Sequence, residues 1–287
     1  MKLGEALSSV SEQLVGIGSY DARIEAEVIL CHVLGIDRAS MFRDLKESLI
    51  LEQEDLVTTL VKRRLEGEPL SYITGTREFY SLSFEITEDV LIPRQETELL
   101  VEAVIEFSKK RDWAPLNIAD IGTGSGAIAV AIAVNIPFAR VTAIDISQKA
   151  LKVADVNRRT HGVHDRVLLR LGNLLEPLSG EMNIIVSNPP YIPEGDIDGL
   201  QREVLREPRV ALDGGPDGLT VIRNLLWQAK SKLSSLGMVV FEIDPTQARK
   251  ASQLSKKMFP DASITVLEDL SGKYRAVLID TSVGTKV

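Results

Sequence analysis

The residues best suited to do chemistry are Asn188-Pro189-Pro190-Tyr191, which follow the apolar run Asn183-Ile184-Ile185-Val186-Ser187. Two prolines directly after a buried strand stop it and fix the backbone. They also remove two N–H donors, so neighbouring carbonyls are free to face a pocket. Asn188 offers an amide oxygen, Pro189 a rigid carbonyl and Tyr191 a flat face. That set answers one chemical difficulty. The lone pair of an amide or aromatic amino nitrogen is delocalised and attacks poorly. Two acceptors holding its two N–H groups draw the nitrogen out of conjugation and aim its lone pair at an electrophilic methyl. The step is then an in-line displacement, helped by positioning and by dipoles preorganised for the developing positive charge. The proton can leave afterwards. Standing alone, the tetrapeptide is equally a Pro-Pro turn with a surface Tyr.

A second constellation is Asp120-Ile121-Gly122-Thr123-Gly124-Ser125-Gly126-Ala127, a glycine loop between a strand and a helix. Gly122, Gly124 and Ala127 satisfy G-x-G-x-x-G/A, and Asp145 ends the next strand 23 residues after Gly122, which suits an acid on ribose hydroxyls. By itself this serves NAD or the adenosine of S-adenosylmethionine equally well, or is only a tight turn. Gly126 exceeds what the dinucleotide pattern needs and leans toward methyl transfer. The tetrapeptide, for which nicotinamide chemistry has no use, settles the choice.

Elements must hold these residues in place. From Leu116 the sequence alternates strand and helix. Strands are expected at 117–121, 141–146, 167–171, 183–187, 238–243, 263–267 and 276–279. Helices are expected at 127–135, 148–159, 219–234 and 247–258. This predicts an α/β fold with a doubly wound, mostly parallel seven-stranded sheet, one of the last two strands running antiparallel. A helix is expected over about 96–110. Before it, Glu78–Phe84 and Val90–Ile92 predict a hairpin around Thr87-Glu88-Asp89. The front is helical: Leu3, Leu7, Val10 and Leu14 in one segment, Ile24, Val28 and Leu30 in a second ending near Gly35, and Leu56, Leu60 and Val61 opposite Arg63 and Arg64 in a third. The expected domains are 1–75, a small helical bundle, 76–95, a hairpin linker, and 96–287, the chemical domain.

Charge and composition restrict the function. The 287 residues carry a net charge of −8, and residues 1–70 hold 8 Lys and Arg against 13 Asp and Glu. A front of that sign argues against a phosphate-gripping module and suits a basic protein partner, although a bare structural cap is the simpler alternative. The single cysteine, Cys31, allows no internal disulfide and reads as core. No signal layout and no membrane-length apolar run is visible, which predicts a cytoplasmic protein. His32, His161 and His164 lack metal-site spacing, so no metal is expected. Lys109-Lys110-Arg111 reads as a solvated helix end, and Arg94, Glu96 and Glu98 as either ion-pair partners or pocket walls.

Together with these motifs, further segments carry a resemblance. They are Gly67-Glu68-Pro69-Leu70 with Tyr72, Ile73 and Gly75; Ile92-Pro93-Arg94-Gln95-Glu96-Thr97-Glu98; Glu207-Pro208; Ala211-Leu212, Gly214-Gly215 and Asp217-Gly218-Leu219; and Asp269-Leu270, Gly272 and Arg275. Over nearly its whole length the chain resembles the bacterial HemK/PrmC family, the peptide chain release factor glutamine N5-methyltransferases. The resemblance implies a class I (Rossmann-like) methyltransferase domain behind a helical domain and hairpin linker. It implies S-adenosyl-L-methionine as cofactor, with S-adenosyl-L-homocysteine as product. Its implied acceptor is the glutamine of the GGQ motif in class I release factors, and so a role in translation termination. By position, Gly122, Thr123, Gly124, Ser125 and Gly126 would line the methionine part, Asp145 the ribose and Asn173 the adenine. Asn188 would touch cofactor and substrate, with Pro189, Pro190 and Tyr191 completing the glutamine pocket and Asn188, Pro189 and Tyr191 carrying catalysis. Gln95, Asn173 and Asp244 depart from the commoner family residues, which are proline, an acidic or aromatic residue, and glycine. Two other functions fit less of the sequence. A nucleic-acid adenine-N6 methyltransferase could use the same pocket by base flipping, but no basic target-recognition segment is visible and no stable nucleic-acid binding is expected. A non-catalytic adaptor would not need the intact loop, acid and tetrapeptide.

Overall fold

The computed structural model describes residues 1–110 and 115–283. Arg111, expected at a solvated helix end, lies outside the described residues. The chain divides into two compact units, Met1–Thr76 with Gln201–Arg206, and Arg77–Leu200 with Glu207–Val287. Among the described residues, no helix is long and apolar enough to cross a membrane.

The smaller unit holds α1 (Leu3–Gly16), α2 (Ala22–Leu34), α3 (Arg38–Arg43), α4 (Leu51–Leu65) and α5 (Leu70–Thr74). Leu3, Leu7, Val10 and Leu14 are buried along one stripe of α1, as their spacing predicts. In α2 the buried stripe runs through Ala22, Ala26, Ile29 and Leu30, while Ile24 and Val28 face outward. Each of those two lies two residues, some 200°, round the helix from a buried alanine. The small alanines, not the larger side chains, give the inward face. In α4 Leu56 is exposed and Arg64 is buried, the reverse of expectation. Arg64 continues the stripe of Val57, Leu60 and Val61, and its charge is met by Glu25 (2.7 Å) and Glu203 (2.8 Å). Cys31 packs beside this core, its Sγ 3.8 Å from Met41 Sδ.

The larger unit begins with a hairpin of β1 (Thr76–Phe79) and β2 (Leu82–Glu85). The turn is Tyr80-Ser81, both left-handed at φ 50° and 59°. Two residues with positive φ make the tight hairpin connection whose usual signal is Asn-Gly. The hairpin therefore closes earlier than expected, and Val90–Ile92 is no strand.

After a 3-10 turn at Gln95–Thr97 and α6 (Glu98–Ser108) the sheet begins. Its strands are β3 (Leu116–Ile121), β4 (Ala139–Asp145), β5 (Val167–Leu171), β6 (Met182–Ser187), β7 (Leu233–Glu242), β8 (Ser263–Glu268) and β9 (Tyr274–Asp280). The helices between them are α7 (Ala127–Asn135), α8 (Gln148–Thr160), α9 (Thr220–Ala229) and α10 (Ala248–Met258). The expected helix to Ser234 stops at Ala229, because β7 already starts at Leu233. The order is β5-β4-β3-β6-β7-β9-β8, parallel except that β9 runs antiparallel to β7 and β8. This is the Rossmann-like class I methyltransferase arrangement, with a mixed, mostly parallel sheet.

The chain moves outward from β3 to β5, then returns to the other side of β3 with β6. Ligands bind at such a reversal, beyond the carboxyl ends of the strands. Register aligns those ends. Ile121 pairs with Ile144 on one side and Ser187 on the other, and Ser187 with Phe241. Gly122, Asp145, Asn188 and Glu242 are therefore the next residues along four adjacent strands.

Candidate active site

A cavity of about 540 Å³ opens at this edge, within the size range of small-molecule sites. Gly122, Gly124, Asp145, Asn173, Asn188 and Pro190 line it, six of the residues singled out above. Val90 and Leu91, after the hairpin, and Pro208 to Ala211 add to its wall.

The remaining five sit behind the surface. Thr123 is buried, and its hydroxyl donates to Asp120 Oδ2 (2.6 Å). Ser125 is buried, its carbonyl accepting from Asn157 Nδ2 (2.8 Å). Gly126 turns into α7 at φ 81°, where an added β-carbon would stand 3.2 Å from Ala154 Cβ. Pro189 is buried. Tyr191 is half-buried against the sheet core and donates from its hydroxyl to Glu242 Oε1 (3.2 Å).

The loop and Asp145 hold one another. Gly122 and Thr123 amides both donate to the Ile144 carbonyl, at 2.9 and 3.0 Å. Gly124 N–H donates to Asp145 Oδ2 and Ser147 N–H to Oδ1, each at 2.8 Å. Burial raises the Asp145 pKa against these donors. A carboxylate has about four acceptor positions, so Asp145 keeps acceptor capacity for hydroxyls reaching in from the cavity. Among the described residues nothing lies within 4 Å of where a Gly124 β-carbon would sit, which leaves its backbone open to close approach. The cavity size, the bare glycine backbone and the spare acceptors of Asp145 fit an adenosine-bearing ligand. Asn173 lies on the exposed side of the wall, its Nδ2 donating to Glu176 Oε1 (3.0 Å).

Behind Asn188 runs a chain of hydrogen bonds. Asn188 Nδ2 donates to Thr97 Oγ1 (3.1 Å), and Thr97 Oγ1 donates to Glu242 Oε2 (2.6 Å). Burial pushes the Glu242 carboxyl up to about 7 against the pull of Thr97 and Tyr191. The Tyr191 phenol is also pushed up, first by burial and then by Glu242.

Several of these supports escaped the sequence reading. Thr97 and Glu242 carry no local sequence signal of this contact, which spans 145 residues. Asn157 joins the Ser125 carbonyl to both backbone groups of Glu85, at 2.7 and 3.0 Å. Gln247 Nε2 donates to the Tyr191 carbonyl (2.8 Å). Asp244 explains itself here: it caps the turn that carries Gln247, accepting from Thr246 N–H (2.9 Å). Gly214 and Gly218 pass so near that β-carbons would come within 2.8 Å of Tyr191 Cα and 2.3 Å of its carbonyl oxygen. Gln95 is exposed at the start of its turn. Arg94 pairs with Glu207, Glu96 with Arg275 (3.4 Å), and Glu98 accepts from Tyr80 N–H (2.8 Å), so all three have structural partners.

Known proteins resemble the chain over both of its parts. The PrmC N-terminal domain model matches residues 5–75, and the Methyltransferase small domain model matches residues 95–236. The chain is 42% identical to the release factor glutamine methyltransferase of Moorella thermoacetica, over 97% of this chain and 98% of that protein. It is 37% identical to the protein of the same name from Bacillus anthracis, over 98% and 99%. Among solved structures, the hMettl16 catalytic domain in complex with the MAT2A 3'UTR hairpin 6 is similar in fold, with a TM-score of 0.59 and 14% identity over 75% of this chain and 83% of that one.

Proposed function

The chain belongs to the release factor glutamine methyltransferase family, and from that premise we propose that it methylates N5 of the glutamine in the GGQ motif of class I peptide chain release factors, using S-adenosyl-L-methionine. The observation that carries the reading is that Asn188 lines the same cavity as Gly122, Gly124 and Asp145. An amide acceptor and a cavity large enough for an adenosine-bearing ligand thus share one space.

When bound, S-adenosylmethionine supplies an electrophilic methyl group. Gly122 and Gly124, in the loop braced by Thr123, Ser125 and Gly126, would hold its methionine part, Asp145 would accept from the ribose and Asn173 would face the adenine. Asn188 Oδ1 and the Pro189 carbonyl accept the two N–H groups of the glutamine amide. They turn its lone pair toward the methyl and stabilise the positive charge that grows on nitrogen. Pro190 and Tyr191 bound the planar amide.

Residues 1–75 serve as the docking part, 76–95 as the hairpin linker and 96–287 as the transfer domain. The front carries 8 basic against 13 acidic residues through position 70, and Tyr20, Ile24 and Val28 stand exposed on it. Both features suit a basic protein surface with apolar anchors. Release factors act on ribosomes, so the chain works in the cytoplasm.

An adenine amino group poses the same chemical difficulty, but the relatives similar over 97% and 98% of this chain are named for glutamine. The test incubates the protein and methyl-labelled S-adenosylmethionine with a release factor, and separately with DNA and RNA. Label in the factor, lost with Asn188→Ala while that variant stays folded, is the expected result. Label in nucleic acid alone would overturn the assignment.

A further inference from the structure

Asn188 works as an acceptor only if its amide is held one way round. Rotated by half a turn it presents Nδ2, a donor, where Oδ1 should be. The site must therefore fix amide polarity as well as position.

The hydrogen bonds behind the cavity do this by counting protons. An ionised carboxylate can only accept. Glu242 accepts from Thr97 at Oε2 and from Tyr191 at Oε1. The threonine hydroxyl has one proton, and it is committed to Glu242. Toward Asn188 it can therefore only accept, and it takes a proton of Nδ2 at 3.1 Å. Oδ1 is left as the acceptor. Thr97 is 4% exposed and Glu242 3%, and neither lines the cavity. Glu96 and Arg275 are the charged groups whose fields reach Glu242, with opposite effects.

We propose that Thr97 and Glu242 are positioning residues for methyl transfer, fixing the polarity of the Asn188 amide through the Thr97 hydroxyl while the same carboxylate orients Tyr191. Neither touches the reacting atoms. The proposal rests on the reading of Asn188 given above.

A crossed pair of variants separates hydrogen bonding from packing. Thr97→Val keeps the shape and removes the hydroxyl; Thr97→Ser keeps the hydroxyl and removes a methyl. Glu242→Gln keeps the size of the side chain but introduces a donor. The freed threonine proton can then turn to Asn188 Oδ1 and release the amide.

Transfer to a release factor is measured at about pH 8, where Glu242 is ionised. Melting temperature and calorimetric S-adenosylmethionine affinity are followed in parallel. Thr97→Val and Glu242→Gln are expected to lower kcat by about 10- to 100-fold. The KM for the factor and the cofactor affinity should stay within about twofold. Thr97→Ser should recover most of the rate. Glu242→Gln decides the matter if Thr97→Val fails to fold. Full activity in Thr97→Val with loss in Thr97→Ser would reveal a packing role and overturn the proposal. So would full activity in both Thr97→Val and Glu242→Gln while Asn188→Ala is inactive. Should Asn188→Ala itself transfer at the normal rate, the reading of Asn188 fails, and the positioning proposal with it.

Discussion

Asp145 Oδ2 accepts a hydrogen bond from the Gly124 amide at 2.8 Å, tying the acid that ends β4 to the loop that leaves β3. The acid shapes the loop and offers its spare lone pairs to the cavity. Asp145→Asn cannot do both, because its NH2 must face either the Gly124 or the Ser147 N–H. Hydrogen bonds to a charged group contribute about 1.5–3 kcal/mol. S-adenosylmethionine affinity is therefore expected to fall by roughly 10- to 100-fold in calorimetry. Unchanged affinity in the folded variant would remove Asp145 from the ribose site.

Gly126 is constrained twice, by φ 81° and by Ala154 at 3.2 Å from an added β-carbon. Gly162 has φ 66° but, among the described residues, nothing within 4 Å of an added β-carbon. A left-handed conformation costs an L-residue about 1–2 kcal/mol. Gly162→Ala should lose only that much, and Gly126→Ala distinctly more, in melting temperature and urea midpoint. Equal losses would show that Ala154 yields without cost.

The chemistry-bearing residues were legible because the parallel fold sets them at strand ends. Asn188, Asp145 and the glycine loop are each announced by an apolar run that stops, and register then makes them neighbours. What could not be read was held by contacts across long stretches of sequence. Thr97 meets Glu242 across 145 residues and Asn188 across 91. No local pattern encodes such pairs. The Tyr80-Ser81 turn was missed because positive φ there is imposed by the hairpin and braced by Glu98. Arg64 was different: it lies seven residues after Val57, on the buried stripe, and only its charge argued for the outside.

Arg64 joins two carboxylates within the smaller unit, one from Glu25 and one from Glu203. Its pKa is raised, chiefly by the Glu25 hydrogen bonds. Arg64→Met fills the volume but leaves both acids without their cation. Breaking a fully buried pair costs about 3–5 kcal/mol and an exposed one under about 1. With Glu203 partly exposed, a loss of about 1–3 kcal/mol is expected in urea unfolding. No loss would mean that water replaces the arginine.

Asp120 is fully buried, with Oδ1 lacking a hydrogen-bond partner among the described residues and Oδ2 accepting from Thr123 and Ala129. Burial pushes its carboxyl from 3.8 up to about 7. A carboxyl whose folded pKa exceeds its unfolded one favours the fold while protonated. Its contribution is complete below about pH 4 and is lost as pH rises through about 7. The stability of the wild type relative to Asp120→Asn should fall across that window and level off above it. Glu242, raised in the same direction, should leave a residual slope in the variant. Parallel stability curves for the two proteins from acid to neutral pH would contradict this account.

The most direct test is mass spectrometry of a class I release factor incubated with this protein and S-adenosylmethionine, beside a factor whose GGQ glutamine is changed to alanine. The account predicts one added methyl group, mapped to that glutamine side chain, and none on the altered factor. A methyl group elsewhere on the factor, or none on a factor incubated with protein shown to bind S-adenosylmethionine, would contradict it.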